Sequence, residues 1–137
     1  FTMGFTSSFR MGQLLAYAFN PPKPREGVDL MAYMVTDFIN AARDCLKSGG
    51  YATQEKGQEV GGDFLVGFRG RLFCVQGDYQ VKDSTHGFDA VGCGDLVALG
   101  SLHATIGQPP EARINAALTA AETFSGGVRA PFHIETM

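Results

Sequence analysis

Strand-like alternation opens the chain and gives way at once to helical spacing. Residues 1–5 (FTMGF) read as a short strand. Thr6, Ser7 and Ser8 then offer helix-capping hydroxyls, and Met11, Leu14, Leu15 and Ala18 follow at the spacing of one helix face. Pro21, Pro22 and Pro24 stop that helix, because proline lacks the N–H and clashes with a continuing turn. A second helix is predicted from near Asp29, with Met31, Met34, Val35, Phe38, Ala42 and Cys45 as its apolar stripe. Ser48, Gly49 and Gly50 end it. Residues 51–62 are polar and glycine-rich and read as an exposed, mobile loop.

A sheet is predicted next. Phe64, Val66 and Phe68 alternate with Leu65 and Gly67, Arg69 and Gly70 can turn, and residues 72–75 return as the second arm of a hairpin. The unbroken apolar character suggests burial on both faces. Segments around 79–81 and 88–91 read as further strands. Gly92, Cys93 and Gly94 then turn into a helix whose face carries Leu96, Leu99, Leu102, His103 and Ile106, with Asp95 in the first turn, where the helix dipole favours an anion. After Pro109 and Pro110 another helix presents Ile114, Ala117, Leu118, Ala121 and Ser125. Ser125, Gly126 and Gly127 close it, and residues 131–134 can form a last strand. With no βαβ alternation, the order suits a sheet core with helix pairs packed outside it.

Composition narrows the function classes. The 137 residues are enough for one domain with a real core, and 45% hydrophobic with 18% charged is a globular balance. A net charge of −3 does not favour a nucleic-acid partner. No run of 18 or more apolar residues exists, so no bilayer span is expected. Cys45, Cys74 and Cys93 are an odd set without metal-type spacing, which reads as reduced thiols and a cytoplasmic setting. Phe1 already sits in a strand-like segment, so the domain is expected to be incomplete at its N-terminus.

Residue chemistry alone assigns no enzyme. Gly92-x-Gly94 between a strand and a helix invites a dinucleotide reading, but Val97 stands at the third glycine position and two helices follow instead of a crossover to a parallel strand. Cys93 at a helix start could be a nucleophile, since that position lowers a thiol pKa, or a structural thiol at a tight turn. No base is near it in sequence; His103 lies ten residues on, roughly 15 Å along the helix. The bland account of Thr6, Ser7 and Ser8 is capping, and that of Met11, Met31 and Met34 is core. Paired carboxylates, a metal constellation and a Ser-His-Asp set do not stand out.

Three stretches taken together resemble a known family. They are FTMGFTSSFRMGQLL (1–15), FLVGFRGRLFCVQGDYQVKDSTHGFDAVGCGDLVALGSL (64–102) and ARINAALTAAETFSGGVRAPFHI (112–134). Their order and spacing resemble the proteasome β-type and HslV-like peptidases, which are N-terminal-nucleophile hydrolases. The resemblance implies an α+β fold, a four-layer αββα sandwich truncated at its N-terminus, occupying 1–137 as a single domain. It implies a threonine-type peptidase whose nucleophile lies upstream of residue 1. In such an enzyme one residue supplies the attacking hydroxyl and the α-amine that manages its proton, and an α-amine titrates close to neutrality.

The resemblance places supporting residues only. Cys93 stands where the family has the serine of a Gly-Ser-Gly turn beside the nucleophile. Ser125 and Gly126 match a Ser-Gly-Gly whose serine supports the terminal amine, and Glu122 stands where the family often has aspartate. Ser7 is placed as the backbone donor to the oxyanion, and Thr6, Ser8 and Met11 as substrate-binding wall. Peptide or protein substrates and a homo-oligomeric ring are implied, with room for an ATP-dependent unfoldase; no cofactor and no metal is implied, nor a nucleic acid or membrane. The alternatives are a non-catalytic scaffold subunit of the same fold, or a small α/β binding module using the turn near Cys93.

Overall fold

The computed structural model describes residues 1–51, 53–55 and 57–136. The chain divides into two compact units, Phe1–Gly87 and Phe88–Met137.

The first unit is a helix layer on an antiparallel sheet. Its elements are β1 (Thr2–Phe5), α1 (Phe9–Tyr17), α2 (Leu30–Tyr33), α3 (Ile39–Ser48), β2 (Thr53–Glu55), β3 (Gln58–Val60), β4 (Phe64–Phe68), β5 (Arg71–Val75) and β6 (Val81–Asp83). The main sheet has the order β1-β4-β5-β6. Arg69 and Gly70 close the β4–β5 hairpin with φ of 48° and 76°, so both central residues are left-handed, as a two-residue turn matched to strand twist demands. Pairing Val66 with Phe73 and Phe64 with Val75 puts these four on one face, and all four are fully buried. They share a core with Met11, Leu14 and Leu15 of α1 and with Tyr33, Met34, Phe38, Ile39 and Leu46 of the second helical run. On the opposite face Cys74 is buried, while Leu65 and Leu72 are half-buried, so the two-sided burial read from the sequence is met in part.

The second helical run keeps most of its predicted stripe: Met34, Phe38 and Ala42 are fully buried, and Met31 and Cys45 are half-buried. Between α2 and α3, residues Met34–Phe38 are π-helical, and the Ile39 N–H reaches back to the Met34 carbonyl. The wider turn re-aims the side chains beyond it. Ile39 and Leu46 beyond it are buried as well, as is Tyr33 before it, and Val35 within it is left exposed. Within 51–62, read as a loop, β2 and β3 pair antiparallel with Thr53 opposite Val60 and Glu55 opposite Gln58. Gly57, at φ 84°, supplies the turn conformation, and Arg43 and Lys47 of α3 hold Glu59 at 2.8 and 3.1 Å. Ala52 and Lys56 of that stretch lie outside the described residues.

The second unit is a helix pair, α4 (Asp95–Ala104) and α5 (Pro110–Phe124). Ala98 and Leu102 pack with Ala117 and Ala121, and the alanines let the two backbones come close. The partner available in this unit is α5, so the inner face of α4 is Ala98 and Leu102. Leu96, His103 and Ile106, predicted on that face, are exposed. Arg113 of α5 donates to the Leu102 carbonyl at 2.8 Å, and its guanidinium lies over the Phe88 ring.

Helices and antiparallel strands are segregated along the chain, an α+β arrangement. The described residues form one four-stranded sheet and one two-stranded hairpin; a second large sheet stacked on the first is not among them. Residues 88–91 and 131–134, predicted as strands, join no ladder among the described residues. A strand is a property of pairing, and apolar alternation by itself supplies no neighbour. No helix among the described residues is long and apolar enough to cross a membrane.

Candidate functional site

In the first unit the chain leaves β1 through a strained turn into α1. The Thr6 N–H donates to the Asp63 carbonyl at 3.2 Å, and the Ser8 N–H reaches back to the Thr6 carbonyl at 3.0 Å. That i→i+2 bond folds the backbone around Ser7, which takes φ 76°. Left-handed backbone in a non-glycine residue is costly and concentrates at ligand-binding turns. Ser8 then caps α1, its Oγ accepting from the Met11 N–H at 3.3 Å. The N–H groups of Thr6 and Ser8 are therefore engaged, and the Ser7 N–H has no acceptor among the described residues.

An open hollow of about 240 Å³ lies at this turn, lined by Phe5, Thr6, Ser7, Ser8 and Phe9. Met11, read from its spacing as core and placed by the resemblance in the pocket wall, is fully buried in the core. It sits on the inner face of α1, so close to Gly62 that a Cβ built there would come within 2.7 Å of its Sδ. Phe5 and Phe9, to which the sequence pattern assigned no role, hold the exposed rings at the hollow. Their signal in the sequence was two large aromatics flanking a run of small hydroxyl residues.

In the second unit two glycine turns meet. Gly92 takes φ 118°, and the Asp95 N–H bonds back to its carbonyl at 3.2 Å as α4 begins. A Cβ at Gly94 would lie 2.8 Å from the Ala121 Cβ, so this position admits no side chain while α4 and α5 stay this close. A Cβ at Gly127 would lie 2.8 Å from Cys93 Sγ. The turns at 92–94 and 125–127, some thirty residues apart in sequence, are thus in direct contact. Cys93 is exposed and Ser125 half-buried, while a Cβ on the exposed Gly126 would meet nothing. The Glu122 carboxylate accepts from the Ala130 N–H at 3.0 Å, which folds the chain after the turn back onto the end of α5.

Among the described residues no group of three or more His, Cys, Asp and Glu side chains could hold a metal ion. Thr6, Ser7, Ser8 and Met11 belong to the first unit, and Cys93, Ser125 and Gly126 to the second.

No family model matches this chain, and no curated protein does. Solved structures do. Thiobacillus denitrificans BPH is 26% identical, with a TM-score of 0.74 over 94% of this chain and 70% of that one. The chain's fold is similar to that of BPH. The same protein in complex with epoxomicin matches at a TM-score of 0.73 and 23% identity, again over 94% of this chain and 70% of that one.

Proposed function

We propose that this chain is the larger part of an N-terminal-nucleophile hydrolase domain, with the αββα layering of the proteasome β-type peptidases, and that it cleaves amide bonds by threonine-type chemistry. The observation that carries this reading is the fold shared with a protein solved with epoxomicin. Epoxomicin is a peptide epoxyketone and a proteasome inhibitor. Its two electrophilic carbons suit a residue that presents a hydroxyl and an amine on neighbouring atoms. The reading agrees with the resemblance of the three sequence stretches, which rests on motifs and not on shape.

In this reaction the nucleophile, placed by the resemblance N-terminal to Phe1, attacks the scissile carbonyl through its hydroxyl oxygen. Its proton passes to the α-amine, which is close to neutrality in pKa and so able to take it up and return it. The carbonyl oxygen gains negative charge, and the Ser7 N–H is the donor that receives it. Supporting that role, the N–H groups on either side are already engaged and the turn holds Ser7 left-handed. One such donor is worth about 2.7–4 kcal/mol in the transition state. The C–N bond then breaks as the proton moves to the leaving amine, and water hydrolyses the remaining ester. The resemblance gives Cys93, Ser125 and Gly126 supporting roles and no reacting one. Peptide or protein substrates and a homo-oligomeric ring belong to the same reading.

A second reading, a non-catalytic scaffold of the same fold, is favoured by one residue: Cys93 stands where the family has serine, and a thiol is a much weaker hydrogen-bond partner than a hydroxyl. Incubation of the complete natural polypeptide with epoxomicin, followed by intact-mass and peptide mapping, separates the two. The peptidase gains one inhibitor mass on its N-terminal residue. A mature protein with an N-terminal Thr, Ser or Cys that is neither labelled nor able to cleave peptides is a scaffold.

A further inference from the structure

We propose that Tyr79, on the turn between β5 and β6, is a positioning residue for the Ser7 N–H: its ring fixes the segment at 61–63, and that segment holds the Thr6–Ser7 turn. This rests on the peptidase reading and deepens it by naming what aims the oxyanion donor.

Tyr79 is held where a tyrosine is costly to hold. It takes φ 67°, an outlier for a bulky side chain. Strain of this kind persists only where the surroundings over-determine it. Here the Tyr79 N–H donates to the Gln76 carbonyl at 2.8 Å, the Gln76 N–H to the Gln80 carbonyl at 2.9 Å, and the Gln80 N–H to Asp78 Oδ1 at 2.9 Å. The strained turn sends the ring inward, and the residue is 8% exposed. The Arg43 guanidinium lies over the ring, 5.4 Å from its centroid, and is tied in turn to Glu59 at 2.8 Å. The phenol hydroxyl makes no hydrogen bond among the described residues. Burial, followed by the Glu59 charge, pushes its pKa up, so it stays protonated at neutral pH. The residue therefore acts through the body of its ring.

What the ring touches leads to the turn. A Cβ built at Gly61 would lie 2.9 Å from Tyr79 Cζ and from its hydroxyl oxygen, so the ring bears on bare backbone there. The Gly61 N–H donates to the Gly77 carbonyl at 2.7 Å, which joins the same two loops a second time. Consecutive glycines would otherwise be a loose link. Gly62 is pinned as well, by Met11 Sδ, which a Cβ there would meet at 2.7 Å. Asp63 follows, and its carbonyl accepts from the Thr6 N–H at 3.2 Å, which carries the β1–β4 pairing one residue beyond Phe5 and Phe64. The Thr6 carbonyl and the Ser7 N–H share one planar trans peptide and point opposite ways. With the Ser8 N–H bonded to that carbonyl at 3.0 Å, the direction of the Ser7 N–H follows from where Thr6 is held. Residues 61–63 thus connect the Tyr79 ring to that anchor.

The test compares the complete natural polypeptide with its Tyr79→Phe, Tyr79→Leu and Gly61→Ala variants in two arms. The first arm is amide hydrogen exchange. In Tyr79→Leu and Gly61→Ala the amides of Thr6 and Ser8 should exchange at least about tenfold faster, with those in the middle of β5 unchanged. Tyr79→Phe, which keeps the ring, should match the parent. The second arm is the rate of epoxomicin labelling against epoxomicin concentration. Tyr79→Leu and Gly61→Ala should lose at least about tenfold in maximal rate with little change in the half-saturating concentration, because a misaimed donor fails in the transition state. Tyr79→Phe should keep the parent rate. Gly61→Ala disturbs the same contact from its other side, and so decides the matter alone if Tyr79→Leu does not fold. A parent that epoxomicin never labels, with Thr6 and Ser8 still responding in the exchange arm, defeats the peptidase reading and leaves Tyr79 as the residue that holds the turn. Unchanged Thr6 and Ser8 amides, acceleration spread evenly into β5, a labelling loss confined to the half-saturating concentration, or a Tyr79→Phe that behaves like Tyr79→Leu overturns the proposal.

Discussion

Gly127 carries no side chain because Cys93 occupies the space: a Cβ there would lie 2.8 Å from Sγ and 2.9 Å from the Cys93 Cβ. Two turns that each end or begin a helix are locked by that contact, with α4 starting beyond one and α5 finishing at the other. The Gly-Cys-Gly stretch is in this sense a spacer whose partner is the Ser-Gly-Gly turn.

Gly127→Ala should therefore destabilise the protein by about 1–3 kcal/mol, the usual cost of overpacking. Cys93→Gly in the same chain should recover part of that loss, and Cys93→Ala less, because the Cys93 Cβ is itself too close. Urea denaturation of the parent, Gly127→Ala, Cys93→Gly and the double variant, taken as a double-mutant cycle, should return a coupling of about 0.5–3 kcal/mol. Additive effects would mean that the two residues do not share this space.

Two glycines of the second unit should respond in opposite directions. At Gly94 a methyl meets the Ala121 Cβ at 2.8 Å and Val128 Cγ2 at 3.0 Å, whereas at Gly100, inside α4, it meets nothing within 4 Å. Gly94→Ala should cost about 1–3 kcal/mol by forcing α4 and α5 apart. Gly100→Ala should add about 0.5–1 kcal/mol through helix propensity alone. Thermal unfolding of the two variants beside the parent checks both signs.

Ser7 should tolerate glycine and reject β-branched residues. At φ 76°, glycine relieves the steric cost of the left-handed backbone while loosening the unfolded chain, so Ser7→Gly should shift stability by less than about 1 kcal/mol. Ser7→Val should lose about 1–2 kcal/mol. If the turn presents its N–H to an oxyanion, Ser7→Gly should keep peptidase activity in the complete polypeptide, and Ser7→Pro, which removes the N–H and forbids this φ, should abolish it. Activity surviving in the proline variant would remove Ser7 from the mechanism.

Glu59 should make the first unit acid-sensitive. The hydrogen bond from Arg43, followed by that from Lys47, holds its carboxyl below the ordinary glutamate range. A folded-state pKa below the unfolded value contributes stability that is fully present above the unfolded pKa, near 4.3, and is lost as pH falls through the folded one. Glu59→Gln should accordingly be less stable than the parent at pH 7, and the gap should close as the solution is acidified below about pH 4. A gap that persists unchanged to pH 3, measured by urea midpoints, would show that the carboxylate's charge is not what ties α3 to β3.

How much of this was legible in the sequence depends on how local each cause is. Ser8 capping α1, Gly70 in a hairpin turn and Pro110 opening α5 follow from groups within four residues of one another; the sequence pattern placed Gly70, narrowed the cap to Thr6, Ser7 and Ser8, and put the helix start at Pro109 and Pro110. The meeting of Cys93 with Gly127 joins residues far apart in sequence, and only a resemblance to known motifs anticipated that those turns matter together. Met11 has the right spacing for either a pocket wall or a core residue; the fold decided for the core by setting it against Gly62. Around the π-helical turn at Met34–Phe38 the fold kept Met34, Phe38 and Ala42 of the predicted stripe in the core, added Tyr33, Ile39 and Leu46, and left Val35 outside. Turns, caps and helix starts were thus determined by the sequence itself, since short-range sterics and hydrogen bonds specify them. Which face is buried, which extended segment finds a neighbour and which glycine must stay bare were settled in three dimensions, because each depends on an atom that the chain brings back from a distance.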